Sequence, residues 1–502
     1  MNDRPSYPWQ EGDALFASEL NAAIAGVTGV TGGATNVLAM GADPTGIVDC
    51  SAIINAAAAQ MGPNGHRKSV YLPTGTYRVD HQILLTDGQT LFGDGEGSTN
   101  LVIYDNFDPA ASSIVLCTPS YIDPGPTIRD LAFWFSQPND VTSRSTFKTL
   151  AAGGTSYTPG GSGVKYPWAI DTQGNSGRIQ VQHVAIFGAW DGINADKACF
   201  WIDGLKVSAF NIGVAIGGTL AAPVLDWTHV SDVEFWPFGT TTQQRQISMD
   251  GQTIAMRLGA MNGLSAQNIS CFSSRLVFTS DASGGWFSFT NLAMDTGHAT
   301  IEMADAFFAQ FANVYYSTAD NAGLPGISIA GNARVTITGF YAHSTSPLPL
   351  LQVADNADVS LVGAVLLPYV VTATTIMVFG TATLRLNAVK IYPGTGTWTA
   401  PLIMQNGASN LQINNVDVIG FGASGTAVQY NSDQAGNYLG PLSLKAGWSV
   451  VGTLPATTIA TRTVMPALRA STTYANDAAA AAGGVGVGQL YRNGSAVQIR
   501  VT

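Results

Sequence analysis

The sequence predicts an all-β chain wound as a parallel β-helix, a single-stranded solenoid of short strands. Three observations predict it. Apolar residues make up 46% of the 502 residues and charged ones only 11%, well under the roughly 25% of an ordinary soluble domain. The chain holds 56 glycines, many of them bounding short Val/Ile/Leu/Phe runs. Between about residues 177 and 420 one apolar run recurs, as "VQHVAIFG", "IDGLKVSAF", "WTHVSDVEFW", "AQNISCFSS" and six further copies. Anchored on Val184, Leu205, Val230, Ile269, Leu292, Val314, Phe340, Ala364, Val389 and Val416, the copies lie 21 to 27 residues apart, with one interval of 39. One coil of a β-helix needs about that length, and coils bury their apolar side only by stacking. Leucine-rich repeats share the period but would show an LxxLxLxxN skeleton, which is absent. A β-sandwich would not keep this regularity.

The elements follow in order. In "DCSAIINAAAAQ", Asp49 or Ser51 is placed to cap a short helix whose Ile53, Ile54 and Ala57 share one face, so a helix near residues 50–60 covers the first coil. "VYLPTGTYRV" then reads as strand, corner and strand, because Pro73-Thr74-Gly75 lacks the chemistry of a tight hairpin turn. "GDGEG" at residues 93–97 is a further corner. The polar stretch near residues 136–176 interrupts the coils as a loop insertion, and "WPFGTTTQQRQISMDGQ" is a loop inside the long interval. The repeat is lost from about residue 424. The division is therefore 1–37 as a leading segment, 38–423 as the β-helix and 424–502 as a small terminal β region ending in a hairpin at Asn493-Gly494.

Charge and composition exclude several classes. A net charge of −11 opposes nucleic acid, whose phosphates need Lys/Arg patches. No apolar run approaches the roughly 20 residues that span a bilayer, so no membrane insertion is expected. The N-terminus shows no apolar signal-peptide core. The four cysteines follow no CxxC spacing and read as buried thiols. The six histidines form no HxH or HExxH pair, so neither metal nor cofactor is expected.

Residues 38–103, "GADPTGIVDCSAIINAAAAQ" with "VYLPTGTYRV" and "TLFGDGEGSTNL", resemble the N-terminal signature of the pectate-lyase-like right-handed β-helix superfamily. Pro44-Thr45 and Cys50 depart from that pattern. "YPWQEGDALFASELNAAIAG" at residues 7–26 and the final "NDAAAAAGGVGVGQLYRNGSAVQIRVT" are similar to the two ends of bacteriophage and prophage tail proteins. The combined resemblance is to a phage tailspike. It implies a homotrimer attached to the phage tail or baseplate through its N-terminus, made without a signal peptide. It also implies a virion protein that acts outside the cell, binding and often cleaving bacterial surface polysaccharide (capsule, exopolysaccharide or O-antigen).

The resemblance supplies no catalytic motif, so the residues must argue for themselves. Glycoside hydrolysis uses two carboxyl groups, about 5–5.5 Å apart for retention or about 6.5–9.5 Å for inversion. Of five glutamates only Glu234 and Glu302 lie in the repeating body. In "HVSDVEFWPFG", Asp232, Glu234 and Trp236 alternate with the apolar Val233 and Phe235. On a straight strand Asp232 and Glu234 would share an outer face roughly 7 Å apart. They are the first candidates for acid and base, with Asp203 and Asp226 near equivalent anchors as supports. The bland fate of such residues is a solvated face. Asp191 in "AWDGINADK" and the pair Asp295 and Glu302 are candidate substrate contacts. Seven of ten tryptophans lie between residues 130 and 290, among them Trp190, Trp201, Trp227 and Trp236, which could stack on sugar rings. A non-enzymatic glycan-binding spike and a lyase acting by β-elimination remain as rivals.

Overall fold

The computed structural model describes residues 33–453 apart from 63–64, 66, 121–124, 140, 142, 151–162, 239–240, 319–322, 421–422, 433 and 446. It also describes residues 477–482, 490–493 and 496–499. The leading segment before Gly33 lies outside the described residues. The chain forms two compact units, residues 1–274 and 275–502. Within each, strands pair in parallel with strands one coil away, as a β-helix requires.

The first unit shows how sequence becomes coil. Ser69–Tyr71 pairs with Ala34–Asn36 on one side and Thr90–Phe92 on the other, while Gly75–Arg78 pairs with Thr45–Asp49 and Thr99–Ile103. The two halves of "VYLPTGTYRV" therefore never pair with each other, and Pro73-Thr74 is a corner. Asp94 holds that corner by accepting from Thr74 N at 2.6 Å, Thr74 Oγ1 at 2.9 Å and the Tyr71 hydroxyl at 2.7 Å. "GDGEG" is thus used internally. Helix α1, Ser51–Ala58, buries Ile54 and Ala57. Asp49 Oδ1 accepts from Ser51 N at 3.0 Å, and Gln89 Nε2 donates to the carbonyl of Ala58 at 2.8 Å.

Five strands build the face that matters below: β1 (Thr127–Phe135), β2 (Gly177–Ala195), β3 (Ala198–Ile216), β4 (Val224–Phe235) and β5 (Met261–Phe272). Leu131, Val184, Leu205, Val233 and Ile269 stack in register toward the core, all at most 2% exposed. The true anchor of the third copy is therefore Val233, not Val230. Residues Asp130, His183, Gly204, Asp232 and Asn268 precede these anchors with φ between 47° and 67°. Each is a left-handed corner where the coil turns, which explains why Asp, His, Gly and Asn fill the column. At Gly204 a Cβ would meet His183 Cδ2 at 2.7 Å, so a side chain there would have to displace the His183 ring.

Two excursions leave this body. Residues 136–167 are the first. The second, 236–253, contains helix α2, Thr242–Ser248, with a complete Thr241/Gln244 capping box where the sequence suggested only a loop. They clasp one another. Arg144 donates to both carboxylate oxygens of Asp250 at 2.9 and 2.8 Å, to the carbonyl of Ile247 at 3.0 Å and to Thr253 Oγ1 at 2.9 Å. Gln244 Nε2 donates to the carbonyl of Pro138 at 2.8 Å. Beneath lie Val141, Phe147, Phe210 and Ile247, with Trp190 against them.

In the second unit Phe278, Phe287, Phe289 and Phe311 form a fully buried ring cluster with centroids 5.0–6.1 Å apart. Parallel pairing runs on through Trp448–Gly452, so coils continue past residue 423. The sequence hides them because Ala427, Val428, Tyr430 and Leu442 are too sparse to read as a repeat. Leu490–Asn493 and Ala496–Ile499 pair antiparallel, with Asn493 opposite Ala496; Gly494 lies outside the described residues. All four cysteines are buried and outside any disulfide among the described residues. No helix among the described residues is long and apolar enough to cross a membrane, which says nothing of a β-barrel.

Candidate functional site

After each left-handed corner the next outward position forms a column across β1–β5: Ala132, Ala185, Lys206, Glu234 and Ser270. Lys206 reaches back to pair with Glu96. That bridge passes over two coils, which accounts for outward-facing Ala132 and Ala185 being 0% exposed. Glu96 was missed at the sequence level because its partner lies 110 residues away. Glu234, by contrast, is exposed and has no hydrogen-bond or ion-pair partner among the described residues.

Asp232 is exposed too, but it sits on the corner itself, with φ 54°. The chain turns there, so the straight-strand spacing expected between Asp232 and Glu234 does not apply. Its Oδ1 accepts from Asn268 Nδ2 at 3.0 Å, and Asp130 and His183 make the equivalent contact at 3.2 Å. Corner geometry alone explains an aspartate at 232. Asp203 is exposed and accepts from Ser231 Oγ at 2.8 Å. Asp226 lies in β4, and its side chain is outside the described residues.

Beside the Glu234 column runs an aromatic one. Trp134 packs on Phe187 at 4.4 Å, Phe238 spans from Phe187 at 6.2 Å to Trp236 at 6.4 Å, and Trp236 packs on Phe272 at 3.9 Å. Phe238 lies on the second excursion and covers the place where the column has the small Ser208. The strip thus crosses every coil from β1 to β5, about 19 Å at the usual strand spacing. Trp236 is 42% exposed, Trp201 45% and Trp227 39%. Trp201 stands edge-on to His229 at 5.6 Å. Trp227 lies flat over Gly263, where a Cβ would meet its ring at 2.1 Å. Planar faces with C–H-binding area beside hydrogen-bonding carboxylates are what a sugar polymer needs.

The other candidates are placed differently. Trp190 is packed under the clasp against Phe147 at 4.9 Å, with Lys165 Nζ 4.7 Å from its ring, so it is spent on structure. Asp191 beside it accepts from Asn211 Nδ2 at 2.8 Å and Ile212 N at 3.2 Å. Burial pushes its carboxyl up to about 6, against the opposing pull of those two hydrogen bonds and of Arg257 and Lys165. A raised carboxyl costs stability as pH climbs from about 4 through 6, because the folded state must then give up a proton it holds more tightly than the unfolded chain. Asp191→Asn is therefore expected to raise the melting temperature at pH 8, by about 2–3 kcal/mol of stability, and to change it little at pH 4. Equal shifts at both pH values would contradict this. In the second unit Glu302 is saturated by the Arg275 guanidinium and by Thr300 Oγ1 at 2.8 Å, and Asp295 ends the strand Trp286–Asp295. Neither belongs to the face built by β1–β5.

Residues 34–222 match the model of the family described as rhamnogalacturonase A/epimerase, pectate lyase-like. Among curated proteins none matches the sequence. Solved structures that resemble the chain include the catalytic unit of a GH87 α-1,3-glucanase from Streptomyces thermodiastaticus. It shows 15% identity over 86% of this chain and 70% of that one, at a TM-score of 0.41. Another is the A-module of the mannuronan C-5 epimerase AlgE4 of Azotobacter vinelandii, with 16% identity over 85% and 99% at 0.36. Tailspike protein 3 of bacteriophage CBA120 shows 11% identity over 98% and 69% at 0.43. The family match lies on coils of the first unit, and over those residues the chain is similar to the pectate-lyase-like family.

Proposed function

We propose that the protein is a phage tailspike that binds bacterial surface polysaccharide on the outer face of β1–β5 and cleaves it by hydrolysis. One observation carries the reading: an uncommitted, exposed Glu234 stands beside a continuous aromatic strip and near Asp203 and Asp232. Glu234 serves as the general acid or base, with Asp232 or Asp203 as the second carboxyl group. Trp236, Trp201 and Trp227 hold the sugar rings. Attachment to the virion and assembly as a homotrimer follow the resemblance of the two chain ends to tail proteins.

The test is release of reducing ends from purified surface polysaccharide of a susceptible bacterium. Hydrolysis gives new reducing ends without the absorbance near the ultraviolet edge that unsaturated sugars would add. Trp236→Ala is expected to weaken polysaccharide binding by about two- to tenfold, since one stacked aromatic is worth about 0.5–1.5 kcal/mol. Unchanged affinity would remove the strip from the binding face. The left-handed corner at Asp232 favours one second reading, a spike that binds without cutting, because that aspartate has a structural reason to be there. Binding with no reducing-end release would select it.

A further inference from the structure

Strands β1–β5 carry three cationic side chains, Arg129, Arg178 and Lys206, and each is already engaged. Arg129 pairs with Asp130 and stacks over Phe92 at 4.6 Å, and Lys206 pairs with Glu96. His183 is turned onto Asp130 at 3.2 Å and His229 stands against Trp201. The carboxylates outnumber their partners. Asp203, Asp232 and Glu234 are all exposed, and none has a cation at ion-pair distance among the described residues. The neighbouring outward positions on β5 are Gln267, Asn268 and Ser270, which are neutral.

From this we infer that the polymer taken by this face is a neutral polysaccharide, not a uronate-bearing one; the inference rests on the proposed glycan-cleaving reading of the same site. A uronate polymer brings a carboxylate with each acidic sugar. It would meet three uncompensated carboxylates within a few coils, inside the roughly 8–10 Å over which charges are felt at moderate salt. β-Elimination or C-5 epimerisation would further require a positive group at the sugar carboxylate to stabilise charge developing beside it, and the three cations of these strands are engaged elsewhere. Neutral hydroxyl-rich sugars meet no such penalty. Their hydroxyls can donate to Asp203, Asp232 and Glu234 while their C–H faces lie on the aromatic strip.

The experiment uses the full chain and a panel of purified bacterial surface polysaccharides of known composition, divided into neutral and uronate- or pyruvate-bearing members. Reducing-end release is measured with and without added calcium, together with Glu234→Gln as the control. Cleavage confined to neutral members supports the inference. Cleavage of an acidic member that Glu234→Gln abolishes overturns it while leaving the glycan-cleaving reading intact. Cleavage of no member overturns that reading, and the inference with it. A second arm titrates polygalacturonate as a defined anionic probe at low salt. Wild type is expected to bind only weakly, whereas Glu96→Gln, which frees the Lys206 ammonium, is expected to gain about three- to fivefold in affinity and to lose that gain at high salt. Tight wild-type binding of polygalacturonate to this face, relieved by Trp236→Ala, would also overturn the inference.

Discussion

Glu234→Gln is expected to lower the rate of polysaccharide cleavage by about a hundred- to ten-thousandfold, the usual worth of a positioned proton-transfer group. Polysaccharide affinity should survive. The amide keeps the shape of the side chain and removes its charge and its ability to exchange a proton. The same exchange should leave the fold unchanged, because Glu234 is exposed and partnerless and such positions usually move stability by less than about 0.5 kcal/mol. A fall in rate with unchanged melting temperature and unchanged binding therefore isolates chemistry from structure. Asp203→Asn and Asp232→Asn, compared in the same assay, show which carboxyl group is the partner. The one whose loss costs a comparable factor completes the pair, and the other should cost only the hydrogen bonds it offers the sugar. Cleavage by Glu234→Gln at the wild-type rate would sink the assignment.

Arg144→Ala is expected to have the largest structural effect. The side chain is 14% exposed and Asp250 27%, so the pair is largely shielded from water. Truncation leaves the Asp250 carboxylate, the carbonyl of Ile247 and the hydroxyl of Thr253 without the donor that now satisfies them. Breaking a buried pair from one side costs about 3 kcal/mol or more, and Lys cannot restore it because one ammonium cannot reproduce the fork geometry. The two excursions should then part and become cleavable by protease within residues 136–167 and 236–253. The effect should reach the site, because Trp236 and Phe238 begin the second excursion and Phe238 closes the gap in the aromatic strip. Glycan binding should fall along with protease resistance. Undiminished resistance in Arg144→Ala would mean that Val141, Phe147, Phe210 and Ile247 alone hold the clasp.

Much of the fold was legible because a β-helix writes its period into the chain. The inward column Val184, Leu205 and Ile269 could be picked from apolar runs, and the corner at Pro73-Thr74 from the lack of a hairpin turn. The misplacement of one anchor at Val230 has a physical cause. "VSDV" offers two buried valines three residues apart, and only the left-handed residue before Val233 shows which one stands in register with Leu205 and Ile269. That column of Asp130, His183, Gly204, Asp232 and Asn268 is itself a sequence signal: Gly, Asn, Asp or His one residue before the anchor. Reading it would have placed the anchor at Val233 and given Asp232 its structural role. The clasp was not legible, since Arg144 and Asp250 meet across 106 residues and α2 is held by a capping box and packing more than by propensity. Glu96 was hidden for the same reason. Of the candidate acids, Glu234 was singled out by scarcity and alternation, and alternation correctly marks it as an exposed strand position. Glu302 shared the scarcity, but Arg275 consumes it, and an ion pair across coils leaves no local mark.

The most direct measurement is a crystal structure of Glu234→Gln with an oligosaccharide cut from a cleaved polymer. The account predicts sugar rings lying along Trp134, Phe187, Phe238, Trp236 and Phe272, with one glycosidic oxygen within hydrogen-bond reach of residue 234 and no sugar carboxylate on the face. An oligosaccharide bound away from β1–β5, with Trp236 and residue 234 untouched, would contradict it.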